Sequence, residues 1–180
     1  MAFGRVRGDR VNLEREVQWL EYGDVTAVPL ELRDALALAL GLEACDLHED
    51  LPVMRVGATL ICAVPNTMFL DGVEPDFERL NALRLEVAGA LVFTFPGRGG
   101  CFTDSRHFAV RDDQMLEQAS SPDAHAALAA YLCANQFFDD GPRSFCGAQG
   151  YRLRQRSRLE VRFNAQGDLA RDVRVREVVG

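Results

Sequence analysis

The chain has 180 residues, enough for one domain with a substantial core, and its 48% hydrophobic and 26% charged residues are ordinary for a globular protein. A net charge of −7 argues against nucleic acid as a partner, and the absence of lysine excludes Schiff-base chemistry through a lysine of this chain. No apolar run approaches the roughly 20 residues of a membrane span, and the start MAFGRVRGDRV lacks the apolar centre of a signal peptide, so a cytoplasmic protein without membrane contact is expected.

Residues 3–22 read as two strands around the turn Arg7-Gly8-Asp9-Arg10. Pro29 opens a helix, PLELRDALALALGL, with Leu32, Leu36 and Leu40 on one face and Gly41 at its close. An acidic loop over residues 42–52 leads to a strand pair folded at Gly57, and Pro75 begins a second helix, PDFERLNALRLEV. The apolar strand ALVFTF follows from Ala90, then the loop PGRGGCFTDS and a strand over Arg106–Val110 leading toward the next helix. That loop lacks both the spacing and the lysine of a phosphate-binding loop, so it reads as a hairpin connection. Five scattered cysteines, odd in number and without a C-x-x-C pair, fit reduced thiols better than disulfides or zinc.

Ser120–Phe138 is the organising stretch. From Ala124 it is rich in alanine and leucine, without glycine or β-branched residues, and its apolar side chains lie on every face. Such a helix is buried on all sides. Ser121 suits the N-cap, Pro122 the first turn, and Asp123 the positive end of the dipole. The N-terminus of a helix presents free N–H groups to a small anion, which makes this end a candidate site; a well-capped core helix that binds nothing is the plainer alternative. Beyond it the chain is β-like: SFCGAQGYRL, LEVRFN, a turn at Gln166-Gly167, and DVRVREVV as a half-exposed edge strand. The arrangement of helices between strand groups gives an α+β fold, a curled mixed sheet around one buried helix with two outer helices, as a single domain over residues 1–180.

The run SPDAHAALAAYL followed by GAQGYRLRQRSRLEVRF resembles the C-terminal half of the PhzF-like phenazine-biosynthesis isomerases, of the diaminopimelate epimerase-like superfamily. The family pattern is E-D-P-V-T-G-S-A-H-A-A-L-A-x-Y, then a Gln-Gly or Arg-Gly-Gly turn, then a strand with R-L-E-V. Glu117, Ala124, His125, Ala126, Ala127, Leu128 and Tyr131 fall on it, as do Gln149-Gly150 and Arg158-Leu159-Glu160-Val161. Arg106 and Phe108-Ala109 resemble the family's R-x-F-A-P strand, Gly57 the glycine of its V-x-x-T-G turn, and PDFERLNAL its P-D-x-x-x-L helix.

The resemblance implies two similar domains with the active site between them, of which this chain supplies the second. The family's acid/base Glu and its C-G-H-A-T helix start have no match here, Gln118 stands where the family has Asp, and Pro122-Asp123 stand for Gly-Ser. It implies an isomerase or epimerase acting on a small carboxylate-bearing metabolite, with no organic cofactor and no metal. Ser120 and Ser121 hold the carboxylate, with Arg106 and Gly57 beside them. Asp123 and His125 are the catalytic candidates. Asp123 takes the vacant acid/base role if a partly closed cleft raises its pKa, and is only a cap if the helix dipole dominates. His125 either reaches the cleft or holds the turn beneath it. A Cys101/His107 nucleophile pair lacks an orienting third group. Half of a two-domain fold leaves its cleft face open, so association is expected, as a homodimer or with a separate chain that brings the missing half. The alternative is a non-catalytic binding or assembly subunit that has kept the fold and lost the chemistry.

Overall fold

A computed structural model of the protein describes residues 25–83 and 88–178, so the hairpin expected within residues 3–22 and the last residues of the second helix lie outside it. In chain order it contains β1 (Val25–Ala27), α1 (Leu30–Ala39), β2 (Met54–Val56), β3 (Thr59–Ala63), α2 (Thr67–Gly72), α3 (Phe77–Ala82), β4 (Gly89–Thr94), β5 (Thr103–Arg111), β6 (Gln114–Gln118), α4 (Pro122–Ala134), β7 (Gly141–Gln149), β8 (Ser157–Gln166) and β9 (Leu169–Val178). The strands form one mixed sheet in the order β1-β2-β3-β4-β5-β7-β8-β9, with β6 paired to β5. The β3/β4 and β5/β7 pairs are parallel and the others antiparallel. The fold is the expected α+β arrangement, a curled sheet around the Ser120–Phe138 helix. Among the described residues, three α-helices, not two, lie outside it. The additional one is α2, which starts where the Asn66 side chain accepts hydrogen bonds from the Met68 and Phe69 amides.

Every residue of α4 from Ala124 to Cys133 is buried. A helix with no polar face requires apolar neighbours on all sides, and the curled sheet supplies them: Ile61, Leu91, Phe93, Leu159, Val161, Phe163, Val173 and Val175 share its core. The opposite face of β3–β5 packs Leu60, Cys62, Val92 and Phe108 under Leu36 and Leu40 of α1, Leu70 of α2 and Leu80 of α3. Strand β4 is therefore buried along its whole length, whereas β8 alternates buried and open residues because no described helix covers its outer face.

Alternation along β5 divides its polar residues between these two faces. Leu91 and Phe93 face α4, so their register partners His107 and Ser105 do too; Val92 faces outward, and so does its partner Arg106. Arg106 is buried there. Its guanidinium donates to Glu117 at 2.9 and 2.7 Å and also to the carbonyl oxygens of Leu70 and Val73, which ties β5, β6 and the end of α2 together. The expectation that Arg106 assists a ligand at the α4 N-terminus is thus corrected: it lies on the other face of the sheet with its donors engaged.

On the inner face, His125 has no exposed surface and its Nδ1 lies 3.1 Å from the Ser121 carbonyl oxygen, so Nδ1 carries the proton and donates. Its ring lies against Gly147, where any Cβ would strike it. His107 lies close enough for the two rings to influence each other's charge, and burial pushes both pKa values down to about 4. The cysteines also depart from expectation. Cys101 and Cys146, 45 residues apart, form a disulfide across the β5/β7 boundary, while Cys45, Cys62 and Cys133 are free.

These buried polar groups carry two expected outcomes. Glu117→Gln leaves the Arg106 charge without its counterion, and loss of about 3–5 kcal/mol of stability is expected in urea unfolding. The histidines have folded pKa values near 4, below the ordinary 6.5, so the unfolded chain binds more protons between those limits and stability falls as pH drops from 6.5 toward 4. In His125→Gln, the loss of stability between pH 7 and pH 4.5 should shrink by roughly 2–3 kcal/mol relative to the wild type, measured by urea midpoints at the two pH values.

Candidate functional site

The opening of α4 is built from the end of β6 and the turn after it. Gln118 leaves β6 opposite His107, Ala119 and Ser120 turn the chain, and Ser121 and Pro122 begin the helix. Ser121 occupies the N-cap position, yet its side chain makes no capping hydrogen bond. The first helical amides after Pro122 therefore have no side-chain acceptor. Ser121 is largely covered at 9% exposure, Ser120 and Pro122 are half-buried, and Asp123 is exposed. The Ser120 hydroxyl oxygen is buried without a hydrogen-bond partner. These features leave the opening turn of α4 with the positive end of the dipole and backbone donors that no side chain caps, the physical requirement for an anion.

The flank of the opening is set by the connection from β7 to β8. The Gln149 side-chain amide donates to the Gln118 carbonyl oxygen at 2.6 Å, and the Ser157 hydroxyl donates to the Ala119 carbonyl oxygen at 3.0 Å. Gly150, with φ of +81°, lies so close to the Ala119 and Gln155 carbonyls that a side chain has no room. The loop Tyr151–Arg156 is thereby fixed beside the turn that opens α4.

Of the residues singled out in the sequence, Ser120, Ser121 and Asp123 meet at this opening. His125 sits one turn below it, enclosed and neutral, as the packing residue that holds the turn through Ser121. Gly57 lies in the exposed β2–β3 turn at the sheet level of Gly89 and Ala109; its φ of +56° is what that turn demands. Arg106 lies behind the sheet. Gln118 uses its side-chain amide on the Leu116 carbonyl oxygen. Asp123 is thus the carboxylate at the opening among the described residues, and no group of three or more His, Cys, Asp or Glu side chains there is placed to hold a metal.

Sequence reasoning missed a polar cluster at the other end of β5. Arg98, from the glycine-rich loop, donates to both oxygens of Asp71 at 3.1 and 3.0 Å and to Asp104, and its guanidinium stacks 4.3 Å from the Tyr151 ring centre. Burial raises the Asp104 pKa while Arg98 opposes the rise. The second oxygen of Asp104 and the Thr94 hydroxyl, opposite it in register, are buried without partners. Asp71 lies 27 residues from Arg98, and Asp104, six residues beyond Arg98, follows no helical or strand spacing that would mark the pair.

No protein-family model matches the sequence, and no curated protein matches it. Solved structures do. A PhzF-family phenazine biosynthesis protein of Bacillus anthracis is similar over 91% of this chain and 55% of its own, with a TM-score of 0.68 and 18% identity. A predicted epimerase of Pseudomonas aeruginosa is similar over 87% and 54% of the two chains, with a TM-score of 0.62 and 23% identity. A PhzF-family protein of Enterococcus faecalis gives 89%, 56%, 0.57 and 16% in the same order. No helix among the described residues is long and apolar enough to cross a membrane. The chain spans about half the length of the solved structures it matches, and its fold is the one that fills that half of PhzF-family proteins.

Proposed function

We propose that this chain is a PhzF-like isomerase- or epimerase-type half, which holds the carboxylate of a small metabolite on the N-terminus of α4 in a cleft that a second chain completes. One observation carries this reading: a helix buried from Ala124 to Cys133 that begins without a side-chain cap, beside a serine hydroxyl that has no protein partner. A carboxylate there accepts the free amides and is favoured by the dipole. Ser120 and Ser121 line it, and Asp123 is the proton acceptor within reach of the adjacent carbon. Isomerisation next to a carboxylate needs a base on one side and an acid on the other. This chain offers one titratable side chain at the opening, so the second is assigned to the partner, as are the remaining walls.

A second reading, a non-catalytic binding or assembly subunit, is favoured by Gln118, which cannot titrate and whose backbone carbonyl is taken by Gln149. Both readings use the same anion site. They differ in whether a proton leaves the bound molecule.

The site is tested by titrating ¹⁵N-labelled protein with acetate, lactate and proline. Amide shifts at Asp123 and Ala124 are expected to move, and to stay unmoved in Ser121→Asp, which places a fixed carboxylate at the same donors. Shifts elsewhere with none at residues 121–124 would overturn the carboxylate site. Deuterium uptake at the carbon next to the carboxylate should be absent with this chain alone. Its appearance on addition of a partner that binds the opening, with loss in Asp123→Asn, separates the enzyme from the assembly subunit.

A further inference from the structure

We infer that the chain closing the α4 opening is a different protein with an acidic rim, and not a twofold copy of this one. The inference rests on the reading above, that a second chain covers the opening. A twofold interface brings the same patch of both copies together. On this chain that patch is basic. The loop fixed beside Ala119 and the strand start after it carry Arg152, Arg154, Arg156 and Arg158, all exposed. None of the four takes part in an ion pair among the described residues; Arg156 instead stacks 4.9 Å from the Tyr151 ring centre, whose ring also carries Arg98. Asp123 is the one carboxylate on the α4 side of the same turn among the described residues.

The surplus is local. Several other arginines among the described residues are matched: Arg98 by Asp71 and Asp104, Arg106 by Glu117, Arg79 by Asp76, and Arg176 by Glu160. A net charge of −7 makes four unmatched guanidinium groups in seven residues stand out against the rest of the surface. Two such rims facing each other across a symmetric interface repel, whereas an acidic rim turns the same groups into attraction and faster encounter. The structures that share this fold contain nearly as much chain again.

The charge-reversed protein serves as a surrogate acidic partner. Arg152→Glu, Arg154→Glu and Arg158→Glu are combined, which leaves Arg156 on Tyr151, and far-UV circular dichroism confirms that the variant is folded. Sedimentation velocity at about 50 mM salt is then run on wild type, variant and an equimolar mixture, and repeated at about 0.5 M salt, where exposed charges are screened. The expected result is a 20.0 kDa monomer for each protein alone and, in the mixture at low salt, a species of twice that mass at least about tenfold tighter than any self-association. High salt should dissolve it. A wild-type dimer at either salt, or a mixture that stays monomeric, overturns the inference. The carboxylate titration reads the α4 amides on the monomer, so it succeeds or fails independently of this result.

Discussion

A helix without a polar face dictates this molecule. Ten consecutive residues of α4, from Ala124 to Cys133, are removed from water, and the alanines among them contribute little volume of their own. Close approach of the sheet on several sides is what keeps such a rod free of voids. Strands β2 and β3 reach it from one edge of the sheet and β8 and β9 from the other, which is why the sheet curls instead of lying open. Burial of the shaft leaves the ends as the places where backbone groups meet solvent. The C-terminal end is closed by aromatic side chains, with Phe137 and Phe138 stacked among Phe95, Phe102, Phe145 and Phe163. The N-terminal end has no such cover among the described residues. The uncapped opening turn is a consequence of the packing.

The polar residues that pass through the core are arranged to keep that end fixed. His125 is clamped between Gly147 and the Ser121 carbonyl, Gln149 holds Gln118, and Ser157 holds Ala119. These contacts come from β7, from the start of β8, or from the first turn of the helix itself. The turn before α4 is therefore positioned by strands that are themselves packed on α4. On the reverse face, Arg106 and Glu117 perform the same service for β6, the strand that delivers the chain to the turn. A buried ion pair adds little net stability when compared with an apolar pair, but its geometry admits one register, and register is what the turn needs.

The sequence made the elements with strong local signals legible. Alanine and leucine on every face announced α4, strict alternation announced β8 and β9, and Pro29 and Pro75 marked α1 and α3. What escaped had no local signature. Strand β6, QMLEQ, is short, mostly polar and paired on one side only, so nothing in it reads as buried. Helix α2 is six residues long, too short for a periodic pattern, though Asn66 was a legible cap. The disulfide and the Asp71–Arg98 pair join residues far apart in the chain, which spacing cannot foresee. Arg106 is the instructive case. Motif matching placed it with the ligand, while simple alternation along β5 separates it from its neighbour His107 and sends it behind the sheet.

Charge is distributed unevenly between the interior and the surface of this fold. Inside the fold the ionisable groups have been neutralised: the two buried histidines are held uncharged, and Arg98 and Arg106 are each matched to carboxylates. At the start of α4, Asp123 and the arginines of the Tyr151–Arg156 loop remain exposed. On the proposed reading Asp123 serves as the acceptor. On that reading the donor comes from across the cleft, in surroundings that hold a proton near neutral pH. An acidic rim provides such surroundings, because neighbouring negative charge raises a carboxyl pKa. The same charge asymmetry that would select the partner would also divide the two proton-transfer roles between the chains.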